Sequence, residues 1–288
     1  MLNIDEDTIT QAVIARHAGA GDARLREVMT SLVQHLHAFA RDVKLTEAEW
    51  CEGMRFLAEA GQVTDGDRQE LVLLSDTLGL SMLVTALNRR RPKGCTEATV
   101  LGPMPAGGEP RHAHGTGVGS AAKGEPCFVR GRVRALDGRP VAGAEIRVWQ
   151  ADARGSHDGQ RSDGHECAPR VSDVFSSGAD GGFHFRSSLA EPYPIPHDGP
   201  VGRMLQALGR HPWRPAHLQF MITAPGCERL VTDIFRAGGA YLDSDAVFGV
   251  RSSLIADWVH HEAGATPDGG SSAVPFYTLD FEFVLNKA

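Results

Sequence analysis

Four side chains in the second half of the chain have the chemistry of metal ligands. His217 and Gln219 stand at i and i+2 in HPWRPAHLQFMITAP. On a strand both would point to the same face. Tyr193 sits in EPYPIP, where the flanking prolines stiffen the backbone and aim the phenol. His157 lies in the polar stretch ARGSHDGQ, just after an apolar segment ending at Trp149. Imidazole suits iron, zinc or copper, and phenol and amide oxygens can complete such a shell. Each residue also has an ordinary structural role. The tyrosine could simply pack, the loop histidine could be solvated, and the strand histidine could be hydrogen-bonded in a core.

These positions need a scaffold, and the sequence changes period to supply one. In the first hundred residues Leu25, Val28, Leu32, Leu36, Phe39 and Val43 step by three or four, the apolar stripe of a helix. Thr46 and Glu49 form a capping-box pattern before a second helix carrying Trp50, Met54 and Leu57. A third helix is expected from Thr64 through Leu71, Leu74, Leu78 and Met82, ending before Arg89-Arg90-Arg91-Pro92. Beyond residue 126 the period becomes two. Phe128–Val133, Glu145–Trp149, Phe183–Phe185, Leu218–Ile222 and Tyr277–Phe283 all alternate, with a turn at Asp137-Gly138. The expected class is α+β: a helical domain over 1–101, a Gly/Pro-rich connector over 102–126, and a β-sandwich over 127–288. The segment 260–275, HHEAGATPDGGSSAVP, reads as a mobile insertion.

Composition excludes several functions. The 288 residues carry a net charge of −7, which argues against nucleic acid as a partner. No apolar run is long enough to span a membrane. The acidic start MLNIDEDTIT has no export pattern, and five scattered cysteines without a CxxC pair suggest a reduced, cytoplasmic protein.

Long motifs then narrow the function. LTEAEW (45–50), RQELVLLSDTLGLSMLV (68–84) and TEATVLGP (96–103) lie in the helical part. PVAGAEIRVWQADARG (140–155), YPIPHDGPVG (193–202), GRHPWRPAH (209–217) and YLDSDAVFGV (241–250) lie in the strand part. With these motifs the chain resembles the intradiol ring-cleavage dioxygenases, in particular the hydroxyquinol 1,2-dioxygenase branch. The resemblance implies a homodimer formed through the N-terminal helices, a phospholipid bound at that interface, and a non-haem Fe(III) ion. It also implies a ferric shell of two tyrosines and two histidines, which fall here on His157, Tyr193, His217 and Gln219. Arg214 and Tyr193 take the catalytic positions. Leu73, Asp76, Val100, Leu101, Gly102, Pro103, Met104, Ile195, Pro196, Asp233 and Val247 take positions lining the substrate pocket.

Two of the four ligand positions depart from the pattern: histidine replaces tyrosine at 157, and glutamine replaces histidine at 219. A neutral imidazole in place of a phenolate removes a negative charge from the metal shell, which favours Fe(II), zinc or another divalent ion over Fe(III). Asp233 is a possible extra ligand as well as a pocket residue. The first expectation is oxidative cleavage of a hydroxyquinol- or catechol-like ring. The alternatives are a metal-dependent hydrolase, lyase or cyclase acting on a related polyphenol, and a binding protein that has lost catalysis.

Overall fold

The computed structural model describes residues 4–65, 68–100, 112, 124–150 and 172–288. His157, Leu101, Gly102, Pro103 and Met104 therefore lie outside the described residues, as does most of the expected connector. The chain forms two compact units, Met1–Glu59 and Ala60–Ala288.

In the first unit α1 (Ile9–Arg16) packs on α2 (Ala23–Asp42), and α3 (Glu47–Gln62) begins there. Asp22 caps α2 by accepting from the backbone N–H groups of Arg24 and Leu25. The capping box of α3 forms in both directions. The Thr46 N–H donates to Glu49 Oε2 at 2.9 Å, and the Glu49 N–H donates to Thr46 Oγ1 at 3.3 Å. The apolar stripe of α2 is on the surface of the chain, with Leu25, Val28, Leu32, Leu36, Phe39 and Val43 each 43–54% exposed.

The single third helix expected from the sequence is two helices. These are α4 (Glu70–Thr77) and α5 (Leu80–Asn88), set at 78° to each other. Between them Gly79 adopts φ +74°, a conformation that glycine enters without steric cost and that stops α4. The apolar spacing continues across the break, so periodicity alone misses it. No single helix among the described residues is long and apolar enough to cross a membrane.

The second unit is a sandwich. Its strands are β1 (Pro126–Ala135), β2 (Glu145–Trp149), β3 (Ser172–Ser176), β4 (Gly182–Ser188), β5 (Tyr193–Pro194), β6 (Trp213–Arg214) and β7 (His217–Thr223). They continue with β8 (Leu230–Arg236), β9 (Ile255–Ala256), β10 (Trp258–His261), β11 (Gly264–Ala265), β12 (Ser271–Ser272) and β13 (Phe276–Leu285). One sheet has the order β10-β13-β1-β4 and the other β3-β2-β7-β8-β9. A short helix, α6 (Pro200–Ala207), packs against α4. The residues over 260–275 are ordered into β10 and a hairpin of β11 and β12 rather than a mobile insertion. Asp268 anchors that hairpin by accepting from Arg186 Nε at 2.6 Å.

Alternate residues of both sheets meet in one core. Phe183, Phe185 and Phe283 from one sheet face Ile146, Phe175, Leu218, Phe220 and Ile222 from the other. Phe175 stacks on Phe185 at 5.0 Å between ring centroids, and Phe220 meets Phe283 at 4.8 Å. With Leu218, Phe220 and Ile222 turned inward, His217, Gln219 and Met221 must occupy the outer face of the five-stranded sheet. That face is covered as well, so β7 is buried on both sides.

Candidate active site

The outer face of β7 and β8 carries the site. The antiparallel register pairs His217 with Phe235 and Gln219 with Asp233. It also places Trp149 of β2 opposite Gln219. Tyr193 arrives from β5, which pairs with β6 so that Tyr193 lies opposite Arg214. Arg214 of β6 with His217 and Gln219 of β7 therefore meets side chains from three other stretches, β2, β5 and β8.

Arg214 is the hub. Nε donates to Asp245 Oδ1 at 3.1 Å, and Nη2 to Asp245 Oδ2 at 3.3 Å and Asp233 Oδ2 at 3.1 Å. Nη1 donates to Tyr193 Oη and to His217 Nε2, both at 3.3 Å. All five N–H donors of the guanidinium are thus used. Arg214, Asp233 and Asp245 are each buried to within 5% exposure or less, a depth at which charges persist only when paired.

Asp245 was not singled out as chemical by the sequence, although it lies in YLDSDAVFGV. Its position is set by a tight loop. The Gly249 N–H donates to Asp245 Oδ2 at 2.9 Å, and a Cβ at 249 would come within 2.9 Å of Arg214 Nη2. Phe248 next to it holds φ +59°, an uncommon conformation for a bulky residue. Arg210 steadies it by lying over the Phe248 ring at 4.9 Å and donating to the Ala246 carbonyl.

His217 and Tyr193 present donors to a common point, with Nε2 and Oη 3.4 Å apart. The other imidazole nitrogen, Nδ1, is 2.8 Å from the Pro215 carbonyl. That bond puts the proton on Nδ1, so the Nε2 lone pair, which accepts from Arg214 here, is the one a cation would take. Burial, reinforced by the Arg214 charge, holds the imidazole below its usual value, so it is neutral and able to ligate near neutrality. Burial pushes the Tyr193 phenol up to about 12, against the opposing pull of Arg214. Burial would also raise Asp245, but the charge and hydrogen bonds of Arg214 outweigh it and keep this carboxylate below its usual value. Gln219 uses its amide nitrogen to donate to the Val100 carbonyl at 3.3 Å.

An apolar wall adjoins these groups. Leu73, Val100, Ile195 and Val247, four of the pocket residues expected from the sequence, share one cluster with Met82, Leu205 and Ala246. Pro196 follows Ile195 in the chain. Burial raises the Asp76 carboxyl, against a hydrogen bond from Ser81 and the charge of Arg214, so it lies within electrostatic reach of Arg214.

The fold and site together define an intradiol-type dioxygenase body: a helical segment, a β-sandwich, and a tyrosine–histidine–arginine cluster on its outer sheet face. Comparison with known proteins agrees. Residues 107–287 match the family described as Dioxygenase, and residues 22–96 match Catechol dioxygenase N terminus. The 6-chlorohydroxyquinol 1,2-dioxygenase of Cupriavidus pinatubonensis is 57% identical over 286 residues, covering 99% of both chains. The hydroxyquinol 1,2-dioxygenase of Nocardioides simplex is 47% identical over 98% of this chain and 96% of its own. The crystal structure of hydroxyquinol 1,2-dioxygenase from Pseudomonas putida DLL-E4 superposes with a TM-score of 0.89 at 44% identity, covering 98% of this chain and 99% of that one. The chain belongs to the intradiol ring-cleavage dioxygenases, in their hydroxyquinol 1,2-dioxygenase branch. The non-oxidative alternative is not favoured, since these relatives are dioxygenases.

Proposed function

We propose that this protein cleaves the ring of a hydroxyquinol-like aromatic between two adjacent hydroxyl-bearing carbons. That carbon–carbon bond breaks, both atoms of O2 enter the product, and a muconate-type dicarboxylate results. The observation that carries this reading is the Tyr193–Arg214–His217 cluster set against Leu73, Val100, Ile195 and Val247.

The site residues suit iron. His217 offers a lone pair of fixed orientation, Tyr193 a hard oxygen beside it, and Asp233 a buried oxygen, Oδ1, with no hydrogen-bond partner among the described residues. His217 and Tyr193 would hold the ion, with His157 and Gln219 at the other two positions that the resemblance implies. Bound there, iron would make the substrate diolate reactive towards oxygen. Arg214 then has a separate task. Its Nη1 faces Tyr193 and His217, where a fixed cation stabilises negative charge developing on substrate oxygens. Tyr193, once ionised, is a base that can take a proton from an incoming hydroxyl. The apolar wall orients the ring and excludes water from the reacting edge.

A second copy of the chain fits the exposed stripe of α2, and the lipid implied by the resemblance would rest on the same apolar side chains. A cytoplasmic location suits the free thiols of Cys51, Cys95, Cys127 and Cys227.

The test is oxygen uptake by iron-loaded protein given hydroxyquinol. Uptake above the autoxidation blank, matched by a muconate-type product and lost in His217→Ala, is the expected result. Iron-loaded protein that consumes no oxygen would overturn the reading.

A further inference from the structure

Gln219 and Asp233 face one another directly across β7 and β8. Gln219 is neutral, and its amide nitrogen is committed to the Val100 carbonyl. Asp233 is fully buried. Oδ2 accepts from Arg214, whereas Oδ1 has no hydrogen-bond partner among the described residues. A buried carboxylate oxygen left in this way is costly, more so than a neutral group would be.

Asp245 grips Arg214 through two hydrogen bonds, a complete fork. Asp233 is a second buried carboxylate on the same guanidinium and meets it through Oδ2 alone. Its Oδ1 stays outside that pairing. The Arg214 guanidinium, two bonds wide, spans from Asp233 to the donors Tyr193 Oη and His217 Nε2.

We propose that Asp233 supplies the metal with an anionic oxygen ligand through Oδ1, where position 219 offers only a neutral amide oxygen in this chain. It rests on the reading of the site as an iron centre. A histidine, a tyrosine and a carboxylate form a coherent oxygen- and nitrogen-rich shell for iron. The carboxylate is also an anionic donor, which a histidine or glutamine side chain is not.

The experiment measures ferrous iron affinity by anaerobic chelator competition in the wild type, Asp233→Asn, Gln219→Ala and His217→Ala. The phenolate-to-iron absorption band is recorded after oxidation. Asp233→Asn is expected to weaken iron binding by about 10–100-fold and to move the band to lower energy, as loss of an anionic donor makes the iron a better electron acceptor. Gln219→Ala is expected to weaken iron binding less than Asp233→Asn does and to move the band less, since a neutral amide oxygen is the weaker donor. Asp233→Asn with wild-type affinity and an unmoved band would overturn the proposal. Pulsed EPR of the unsubstituted protein, grown with isotope-labelled aspartate carboxylates, keeps the test independent of whether the variant folds. Hyperfine coupling to an aspartate carboxylate carbon supports ligation, and absence of coupling overturns it. Wild-type protein that binds no iron, or binds it equally well as His217→Ala, would instead remove the iron-centre reading itself.

Discussion

Asp245 holds Arg214 in a fork, with Nε–Oδ1 at 3.1 Å and Nη2–Oδ2 at 3.3 Å, and this fork turns the remaining nitrogen, Nη1, onto Tyr193 and His217. Asp245 therefore acts through Arg214 rather than on the substrate. Replacing it by asparagine keeps the shape and removes the charge. Asp233 still pairs with Arg214 in that variant, so the cost is that of buried N–H donors left facing the amide nitrogen without an acceptor, about 1–3 kcal/mol. A stranded buried charge would cost about 3–5 kcal/mol. Asp245→Asn is expected to lower kcat by about 10–100-fold, the effect of losing an orienting partner around a metal site, while the protein stays folded. Steady-state kinetics with thermal unfolding on the same samples checks both numbers. An unchanged kcat would show that Arg214 is held without the fork.

The Tyr193 phenol has an ordinary value of 10.0 and is pushed up to about 12 in the metal-free fold. The folded value lies above the unfolded one. Its contribution to stability is therefore complete below about pH 10 and is lost as pH rises through about 12. An ultraviolet pH titration of metal-free protein should show a tyrosine step near 12, and Tyr193→Phe should remove it. Loading iron at neutral pH should ionise the same phenol and release its proton, which calorimetry in buffers of different ionisation enthalpy detects. A titration identical in wild type and Tyr193→Phe would remove this assignment.

The stripe on α2 is a third point of attack. Leu32 is 46% exposed and Phe39 is 54% exposed on the isolated chain. Burying such side chains fully contributes about 1.5–3 kcal/mol each, enough for a handful to hold two subunits together. Leu32→Glu combined with Phe39→Glu is expected to convert a dimer into a monomer in sedimentation experiments without loss of helix by circular dichroism. A doubly substituted protein that still sediments as a dimer would place the interface elsewhere.

Much of this protein can be worked out from its residues in order. A step of three to four along Leu25–Val43 and a step of two along β2, β7 and β13 are local signals, because side-chain direction repeats with the backbone period. His217 and Gln219 had to share a face for the same reason. The capping box at Thr46 and Glu49 is equally local. The long motifs identify the family without any coordinates.

Other features required the folded chain. The break at Gly79 was hidden because the apolar spacing runs straight through it, and only the backbone conformation shows the turn. Order over 260–275 depends on the ion pair of Asp268 with Arg186, a partner 82 residues away. Asp245 looked like any polar loop residue. Its role comes from Arg214, 31 positions earlier in the chain, and from a glycine at 249 that leaves room for both. The pairing of Gln219 with Asp233 is likewise a matter of strand register. The sequence by itself determined the class of elements, the family, and which residues could do chemistry, since those follow from residue type and short-range spacing. Folding was needed to bring Asp233 and Asp245 onto Arg214 and to give one a two-bond fork and the other a single contact, because such pairing depends on distances between segments that no local period encodes.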